Sequence, residues 1–442
     1  MVIAAHAGML MGPIFFHQLK QADRPAAMLA ARNDRPMRFL IISNNYPVEP
    51  DSSNMQTDLA AELIKHGHHV DVAVQGWCMP DIKRVTQLRT EAGANVTIFP
   101  AFSITGFGRL FERLTRWALL PWRVGRSFRR LFDTTNYDVV LVWTPCVLVR
   151  SAFRYAQAHS KARSVLYIAD FFPIHHAELG LVPRGPVYAL AKAMEEKLFR
   201  RFDIIFCNLP SNIGYLRTHY RVRPQQDVRW TPLWVPTTEI RRRPRAQMRA
   251  SYDLPQGVPI AVFGGQIIEG RGVEQMLEAA ARSREAGLSI HFLFIGDGRL
   301  EPMVKEAAGR PGSNVIHRSA VPREEFLSIL TACDVGMLAT VPGVSSHSFP
   351  TKSMDYLRAG LPVVAAVEPG SDFARMITDH RVGASVALGD DKAMYEAIES
   401  FACDPSSREE MQDRARGFVE AELDVIHCYR RLIDALEGRP AS

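Results

Sequence analysis

The chain has 442 residues, 47% of them hydrophobic and 23% charged, so it is not a disordered protein and is long enough for two domains of about 200 residues each. Its six cysteines occur singly with no C-x-x-C pair, which argues against a disulfide framework or a zinc site and favours a reducing compartment. The net charge of +6 predicts an anionic partner, and nucleic acid, membrane lipid and phosphorylated ligands all meet that condition.

Residues 1–36 precede the first predicted strand, which begins directly after Met37. They contain an apolar stretch, Met9–Phe16, without a positively charged region before it, so we do not expect a secretory signal. We expect these residues to be an N-terminal extension, disordered or arising from an upstream start, that adds nothing to the fold. No apolar run in the sequence reaches the roughly 20 residues that span a bilayer.

Short apolar runs alternate with amphipathic helical patterns from Met37 to about residue 238. Strands are predicted at Phe39–Ser43, His69–Val74, Val96–Phe99, Val139–Trp143, Val165–Ala169 and Ile204–Cys207, and helices at Met55–His66, Val147–His159 and Pro186–Arg201. Apolar strands that alternate with helices favour a parallel sheet covered on both faces. We therefore predict a Rossmann-like first domain over residues 37–238.

The segment Gly108–Phe132 has seven arginines against one glutamate, and its arginines and apolar residues recur at helical spacing. Pro121 is predicted to split it into two short helices. Basic and aromatic faces on short helices suit the surface of an anionic membrane. The membrane-facing candidates are Arg109, Arg113, Arg116, Trp117 and Arg123. The alternative is an ordinary helix packed on the sheet through its leucines, whereas nucleic acid is disfavoured because no nucleic-acid module is recognisable.

Asp170 follows the strand predicted at Val165–Ala169, so its carboxylate is expected to project from the end of the sheet into a cleft. There it would orient an acceptor hydroxyl or take its proton. Alternatively, Asp170 caps the next helix. His175 and His176 follow closely, but two adjacent histidines are weak evidence for a metal site.

The basic stretch Arg241–Arg245, which contains a proline, is predicted to be a linker, after which the alternation restarts. Strands are predicted at Ile260–Gly264, Ile290–Ile295, Val315–His317, Val335–Leu338 and Pro362–Ala366, and helices at Val273–Ala286, Glu301–Ala308, Glu324–Ala332, Thr351–Ala359 and from about residue 407 to 436. The prediction is a second Rossmann-like domain over residues 239–442 that ends in a long helical region. Two doubly wound domains in tandem place a ligand cleft between the carboxyl ends of their sheets.

Two glycine-containing turns follow strands of the second domain. Gly264 and Gly265 come at the end of a strand and Arg271 precedes the next helix. Such glycines let the backbone approach a ligand, and free helix amides together with an arginine suit a pyrophosphate. Gly296 and Asp297 begin a second turn of this kind, with the sequence G-D-G. Taken singly, each segment is also explained as a tight turn with solvated side chains.

A third segment begins with Pro350, which is placed near a helix start, where its missing N–H costs nothing. Lys352 and Asp355 are three residues apart, so both lie on one face of the first turn. Since a lysine there opposes the helix macrodipole, we predict an anionic partner for it. The alternative is a surface pair of Lys352 with Asp355.

In this order and spacing, the three segments resemble the donor-binding domain of glycosyltransferase family 4 and its GT-B relatives, which show a glycine loop after a strand, a G-D-G turn and a helix ending in A-x-G-x-P-V. The segment Asp170–Gly180 is similar to the D-x-W-P…A-L-G segment of members that build bacterial polysaccharides on a lipid carrier. The resemblance extends from about Met37 to Leu436 and is more specific in the second half. It implies a GT-B fold, an α/β architecture in which two Rossmann-like doubly wound domains face each other across a cleft, the first binding the acceptor and the second the nucleotide sugar.

The resemblance also implies roles for individual residues. Gln266 and Arg271 stand where the family often has an arginine and a lysine that grip the donor pyrophosphate. Asp355 matches the second carboxylate of the E-x(7)-E pattern, which binds ribose hydroxyls, and His347 stands where the family has a glutamate near the transferred sugar. The implied donor-binding set is Gly264, Gly265, Gln266, Arg271, Gly296, Asp297, His347, Pro350, Lys352 and Asp355. The implied catalytic residues are Asp170, Arg271 and Lys352.

The activity implied by the resemblance is transfer of a sugar from a nucleotide diphosphate sugar to a lipid-linked or nascent polysaccharide acceptor, with retention of configuration. The protein would be cytoplasmic and peripheral to the inner face of the cell membrane. We expect no cofactor and no metal, because in this class basic side chains and helix ends stabilise the leaving diphosphate.

Three alternatives stay open from the sequence. The absence of the family glutamate at position 347 allows an inverting path with Asp170 as base. A sugar-nucleotide epimerase of the same architecture and a catalytically degenerate GT-B scaffold protein are the other two. A dehydrogenase is disfavoured, since no G-x-G-x-x-G follows the first strand of either domain.

Overall fold

The computed structural model of the chain describes residues 35–48, 54–79, 82–102, 109–237, 240, 242–341, 343–344, 349–368, 370–403 and 405–440. Residues 1–34 of the predicted extension and His347 lie outside the described residues. Within them, two sheets with helices packed on their faces form the two predicted Rossmann-like units.

The first unit is built around an eight-stranded sheet. Its elements in chain order are β1 (Arg38–Ser43), α1 (Met55–Lys65), β2 (His69–Gln75), β3 (Thr86–Arg89), β4 (Asn95–Phe99), α2 (Arg109–Leu131), β5 (Val139–Trp143), α3 (Arg150–His159), β6 (Arg163–Ile168), α4 (Ile174–Glu178), α5 (Pro186–Phe199), β7 (Ile204–Cys207), α6 (Ser211–His219) and β8 (Asp227–Trp230). The strand order is β3-β4-β2-β1-β5-β6-β7-β8, parallel throughout except that β3 runs antiparallel to β4. All five residues of β5 are buried, because helices cover both faces of the sheet.

The second unit contains a six-stranded, fully parallel sheet in the order β11-β10-β9-β12-β13-β14. Its elements are α7 (Arg245–Ser251), β9 (Ile260–Gly264), α8 (Val273–Glu285), β10 (His291–Ile295), α9 (Glu301–Ala308), β11 (Val315–Arg318), α10 (Arg323–Leu330), β12 (Val335–Ala339), α11 (Lys352–Ala359), β13 (Val363–Ala366), α12 (Asp372–Asp379), β14 (Gly383–Val386), α13 (Asp391–Ala402), α14 (Pro405–Phe418) and α15 (Val425–Leu436). The predicted doubly wound α/β architecture with two facing units is confirmed.

The arginine-rich segment forms one continuous helix, α2, so the predicted break at Pro121 is wrong. Leu120, Val124 and Phe128 lie on one face of this helix and are buried against the first sheet. Packing of that face supports the helix across the proline, which removes one backbone hydrogen bond. For this buried face of α2, the alternative prediction of an ordinary helix packed on the sheet is therefore correct.

The last helix, α15, returns to the first unit. A π-helical turn at Val419–Leu423 follows α14, and Asp424 then caps α15, its carboxylate accepting the Ile426 N–H at 2.7 Å. Leu432 and Ile433 are buried in the same core as residues of β1 and α1. The core of the first unit thus includes residues beyond position 238, where the sequence predicts that the first domain ends.

Direct contacts join the two units on one side of the cleft. The carboxylate of Asp372, in the first turn of α12, accepts the backbone N–H of Ser211, which begins α6, at 2.8 Å. The loops after β6 and β9 also face each other, since Arg271 after β9 acts on the pKa of His175 after β6. The predicted cleft between the carboxyl ends of the sheets is therefore present. None of the helices in the described ranges combines the length and the apolar character needed to cross a membrane.

The docking of α15 generates a stability prediction. Leu432 is fully buried in the first unit, so Leu432→Ala should lower the free energy of unfolding by about 2–5 kcal/mol through lost contacts and a cavity. All six tryptophans lie between positions 77 and 234, so tryptophan fluorescence during denaturant unfolding reports on the first unit. The exposed Glu437→Ala on the same helix end is the control. Equal unfolding midpoints for the two variants would show that α15 does not stabilise this unit.

Candidate active site

The two glycine turns of the second unit interlock into one backbone platform. The Gly265 N–H donates to the Ile295 carbonyl, and the Ile267 N–H donates to the Asp297 carbonyl, both at 2.9 Å. A Cβ at Gly296 would stand 2.0 Å from the Gly265 carbonyl oxygen, so this close approach requires glycine. The sequence identified both turns but not their direct contact.

The Lys352 side chain lies on this platform. A Cβ at Gly265 would stand 2.7 Å from Lys352 Nζ, so the glycine provides the space that the ammonium occupies. Lys352 Nζ also lies 4.1 Å from the centroid of the Phe263 ring, a cation–π distance. Lys352 is the first residue of α11, where the positive end of the helix macrodipole disfavours its positive charge.

Burial, followed by the positive charge of Arg271, lowers the pKa of Lys352 to about 7. Among the described residues no carboxylate forms an ion pair with Lys352, and Asp355 pairs with Arg323 instead, at 2.9 Å. The alternative of a surface pair between Lys352 and Asp355 is therefore wrong. An anion placed between Lys352 and Arg271 would satisfy both charges.

Arg271 stands on the rim of the same crevice. It is exposed, and it lies near enough to both Lys352 and His175 to lower their pKa values. Gln266 is likewise exposed in the loop after β9. Asp297 is exposed beside the Ala320 N–H, at 3.4 Å. Arg271 and Lys352 thus lie near each other, whereas no contact within the described ranges connects the Gln266 or Asp297 side chain to them.

Pro350 is partly buried directly before α11, and its carbonyl accepts the hydroxyl of Ser353 at 2.7 Å. This hydrogen bond stabilises the first turn of the helix that carries Lys352. His347, the other predicted donor residue of this segment, lies outside the described residues.

Asp355 belongs to a charged group that the sequence did not reveal. Burial raises the pKa of Asp355, while Arg323 and Arg358 lower it. Asp58, on α1 of the first unit, has its pKa raised to about 6 by burial, with opposing effects of the same two arginines and a further rise from Asp355. Carboxylates of both units thus meet two arginines across the cleft. No sequence motif marks Asp58 or Arg323, because their proximity arises from the docking of the units.

Asp170 lies on the opposite wall. Its Oδ1 is buried without a hydrogen-bond partner among the described residues, and its backbone carbonyl accepts the Thr144 hydroxyl at 2.9 Å. Burial raises the pKa of Asp170, and nearby His176 and His175 lower it. The helix α4 starts at Ile174 without a side-chain cap, so the alternative that Asp170 caps the next helix is wrong.

Arg116 and Arg123 of α2 lie over aromatic rings. Arg116 pairs with Glu112 at 3.0 Å and lies over Trp77, and Arg123 lies 4.3 Å from the centroid of Phe102. Trp117 is partly buried and packs against the core, whereas the tryptophan that faces solvent is Trp122, 57% exposed. The side chains of Arg109 and Arg113 lie outside the described residues.

One group of three side chains within the described ranges is suited in composition to hold a metal ion: Asp297, Glu301 and His317, whose ligand atoms lie within 4.8 Å of one another. Their other contacts fit a structural role. His317 Nε2 lies 3.0 Å from the Gly296 carbonyl oxygen, and Glu301 pairs with Lys305 at 2.6 Å. These interactions already stabilise the G-D-G turn.

Two family models match the chain. The one described as Glycosyltransferase Family 4 matches residues 53–239, and the one described as Glycosyl transferases group 1 matches residues 244–418. The chain belongs to the GT-B glycosyltransferases. The resemblance inferred from the three donor-domain segments is thereby confirmed, and the crevice of Lys352 and Arg271 lies in the group 1 half.

Individual relatives of this GT-B glycosyltransferase are distant. The probable glycosyltransferase WbjE of Pseudomonas aeruginosa is 23% identical over 60% of the chain, a match that spans 66% of its own length. The putative colanic acid biosynthesis glycosyl transferase WcaI of Escherichia coli is 23% identical over 68% of the chain and 74% of its own length. The structure of sucrose-phosphate synthase from Thermosynechococcus elongatus superposes with a TM-score of 0.69 at 16% identity, covering 90% of this chain and 100% of that one, which shows a shared fold.

The lowered pKa of Lys352 generates a pH prediction. Only the protonated ammonium attracts a diphosphate, so the affinity for nucleoside diphosphates should fall above pH 7, by up to tenfold per pH unit, and binding should take up a proton. Calorimetry between pH 7.5 and 9.5, where the ligand is fully ionised, in buffers of different ionisation enthalpy measures both effects. Lys352→Arg stays charged and should remove the pH dependence. An equal slope in Lys352→Arg and the wild type would contradict the assignment.

Proposed function

We propose that the protein transfers a glycosyl group from a nucleotide diphosphate sugar to a lipid-linked or nascent bacterial polysaccharide. The relatives support the class, since WbjE is named as a probable glycosyltransferase and WcaI is named for colanic acid biosynthesis. The observation that most supports the donor is the ammonium of Lys352, held on a glycine platform without a carboxylate partner in the described part of the chain.

On the donor side, Lys352 and Arg271 stabilise the departing diphosphate. Negative charge builds up on the leaving oxygens as the glycosidic bond breaks, and positive charges already fixed around that position need no reorganisation. The platform of Gly265 and Gly296 brings the backbone close to the phosphates. Asp355, whose carboxylate is held by Arg323, is proposed to accept hydroxyls of the nucleotide ribose. No metal enters this proposal, because two basic side chains face the leaving group.

On the acceptor side, Asp170 orients the attacking hydroxyl. Its buried Oδ1 has no hydrogen-bond partner among the described residues, so an acceptor hydroxyl would satisfy it. Retention of configuration follows from the family resemblance. A specific observation favours keeping the inverting alternative: burial raises the pKa of Asp170, and a carboxylate of raised pKa is a better base.

On the membrane side, we propose that the solvent-facing side of α2 holds the protein on an anionic membrane at its cytoplasmic face. Trp122 is 57% exposed, and Arg123 and Arg126 are exposed beside it. An aromatic ring flanked by arginines suits the headgroup region. The buried face of the same helix anchors this surface to the sheet.

Transfer assays test the donor assignment. Arg271→Ala and Lys352→Ala should each lower the transfer rate by about 10²–10³-fold with an unchanged circular dichroism spectrum, because each removes a charge that stabilises the leaving group. Asp170→Asn should lower transfer without changing the affinity for nucleoside diphosphates. Arg299→Ala, an exposed residue beside the G-D-G turn, is the matched control.

Near-wild-type transfer by both Arg271→Ala and Lys352→Ala would refute the donor site. Conversion of the donor to an epimer in the absence of any acceptor would support the epimerase instead. Calorimetry without binding of any nucleoside diphosphate would support the scaffold protein. The anomeric configuration of the product, measured by NMR, decides between retention and inversion.

Sedimentation with phosphatidylglycerol vesicles tests the membrane surface. Removing both charges in Arg123→Gln/Arg126→Gln should lower vesicle binding about 30-fold, since each basic residue near an anionic surface contributes about 1 kcal/mol. Trp122→Ala should weaken binding also at high salt, where charge is screened. Arg414→Gln, on α14 and paired with Glu410, is the control. Unchanged binding of all the α2 variants would place the membrane contact elsewhere.

A further inference from the structure

A cavity of about 420 Å³ lies where the chain passes between the two units. Its walls come from the linker, from the end of α11, and from α14 with the turn that follows it. The lining residues are Thr237, Ile240, Arg242, Arg358, Arg416, Val419 and Glu420. Its volume is within the range of roughly 300–1,000 Å³ typical of ligand sites. Of these residues, Arg358 connects the cavity to the charged group around Asp355 and Asp58.

The charges on this cavity are predominantly positive. Three arginines, Arg242, Arg358 and Arg416, face one glutamate, Glu420. Arg416 Nη2 pairs with Asp413 at 2.6 Å, but Asp413 is 79% exposed, so solvent screens that pair. Each arginine comes from a different segment of the chain, and the sequence shows no cluster that predicts their meeting.

The guanidinium of Arg416 also has an unused donor. Its Nη1 is buried and has no hydrogen-bond partner among the described residues. A Cβ at Gly360 would lie 2.9 Å from Nη1, so the glycine that ends α11 is what allows this close approach. Buried N–H groups are rarely left without an acceptor, because an unsatisfied one costs desolvation free energy.

We propose that this cavity is a binding site for an oxyanion of the phosphate or diphosphate type, separate from the donor crevice. An oxyanion would accept hydrogen bonds from the arginines that line the cavity and neutralise their charge, and arginine's planar fork matches phosphate oxygens. Because the ligand would touch the linker, α11 and α14 together, it would brace the connection between the two units. The site goes beyond the proposed transfer reaction and does not depend on it.

Calorimetry with inorganic pyrophosphate tests the site. Because the donor crevice would also bind pyrophosphate, the titration uses the Arg271→Gln/Lys352→Met background, in which that crevice has lost both charges. Pyrophosphate should still bind there at one site per chain. Adding Arg416→Gln should weaken this binding at least tenfold, since a charged hydrogen-bond donor is removed. Arg414→Gln, two residues away on the same helix and paired with Glu410, should leave it unchanged.

A second variant tests whether weaker pyrophosphate binding in Arg416→Gln comes from misfolding rather than from loss of the site. Arg242→Gln alters an exposed linker residue, and it should also weaken pyrophosphate binding while preserving the circular dichroism spectrum. No pyrophosphate binding in the background protein, or equal affinity in the Arg242, Arg416 and Arg414 variants, would overturn the proposal.

The source of the oxyanion is distinguished by a parallel experiment with phosphatidylglycerol vesicles. Loss of pyrophosphate binding in Arg416→Gln with unchanged vesicle binding supports a free anion. Parallel loss of both supports a lipid headgroup. Both results support an oxyanion site in this cavity, and the choice between them requires no further variant.

Discussion

The placement of one ammonium group organises the candidate active site. Lys352 Nζ lies over the Phe263 ring and against Gly265, in space that any side chain at position 265 would fill. Burial makes its positive charge unfavourable, and Arg271 adds to that cost. In the function that we propose, a bound diphosphate relieves the repulsion that the free protein maintains. The glycine platform, the start of α11 and the loop after β9 all serve this arrangement.

The two units are joined both by charged contacts and by apolar packing, since Leu209 and Leu233 of the first unit lie in one core with residues of the second. The carboxylate of Asp372 accepts a backbone N–H from the first turn of α6 in the opposite unit, and Asp58 lies near enough to Arg323 and Arg358 for their charges to lower its pKa. The helix α15 crosses back and contributes buried side chains to the first unit. The chain crosses between the units at the linker before α7 and again at the turn between α14 and α15. The arginine-lined cavity lies at these segments.

Much of the fold could be predicted from the sequence because the central strands are apolar on both faces. β5 and β9 are buried at every position, and their sequences are short uninterrupted apolar runs. The strands β3, β8 and β14 are not predicted from the sequence, since they lie at sheet edges, are only partly buried and contain polar residues. The periodicity of α2 predicts a helix, but it does not show whether Pro121 interrupts that helix. The burial of Leu120 and Phe128 against the sheet keeps the helix continuous across the proline.

The family followed from the resemblance of three segments to known glycosyltransferases, and the two Rossmann-like units followed from apolar strands that alternate with helices. Lys352 and Arg271 were predicted as a pair because glycines and basic residues at strand ends have a local physical meaning. The tertiary structure alone decided the partners of these residues. Asp355 pairs with Arg323 rather than Lys352, Asp58 joins them from the first unit, and Asp170 keeps a free carboxylate oxygen instead of capping α4. These arrangements depend on packing within each unit and, for Asp58, on how the two units dock, and no local pattern in the sequence encodes either.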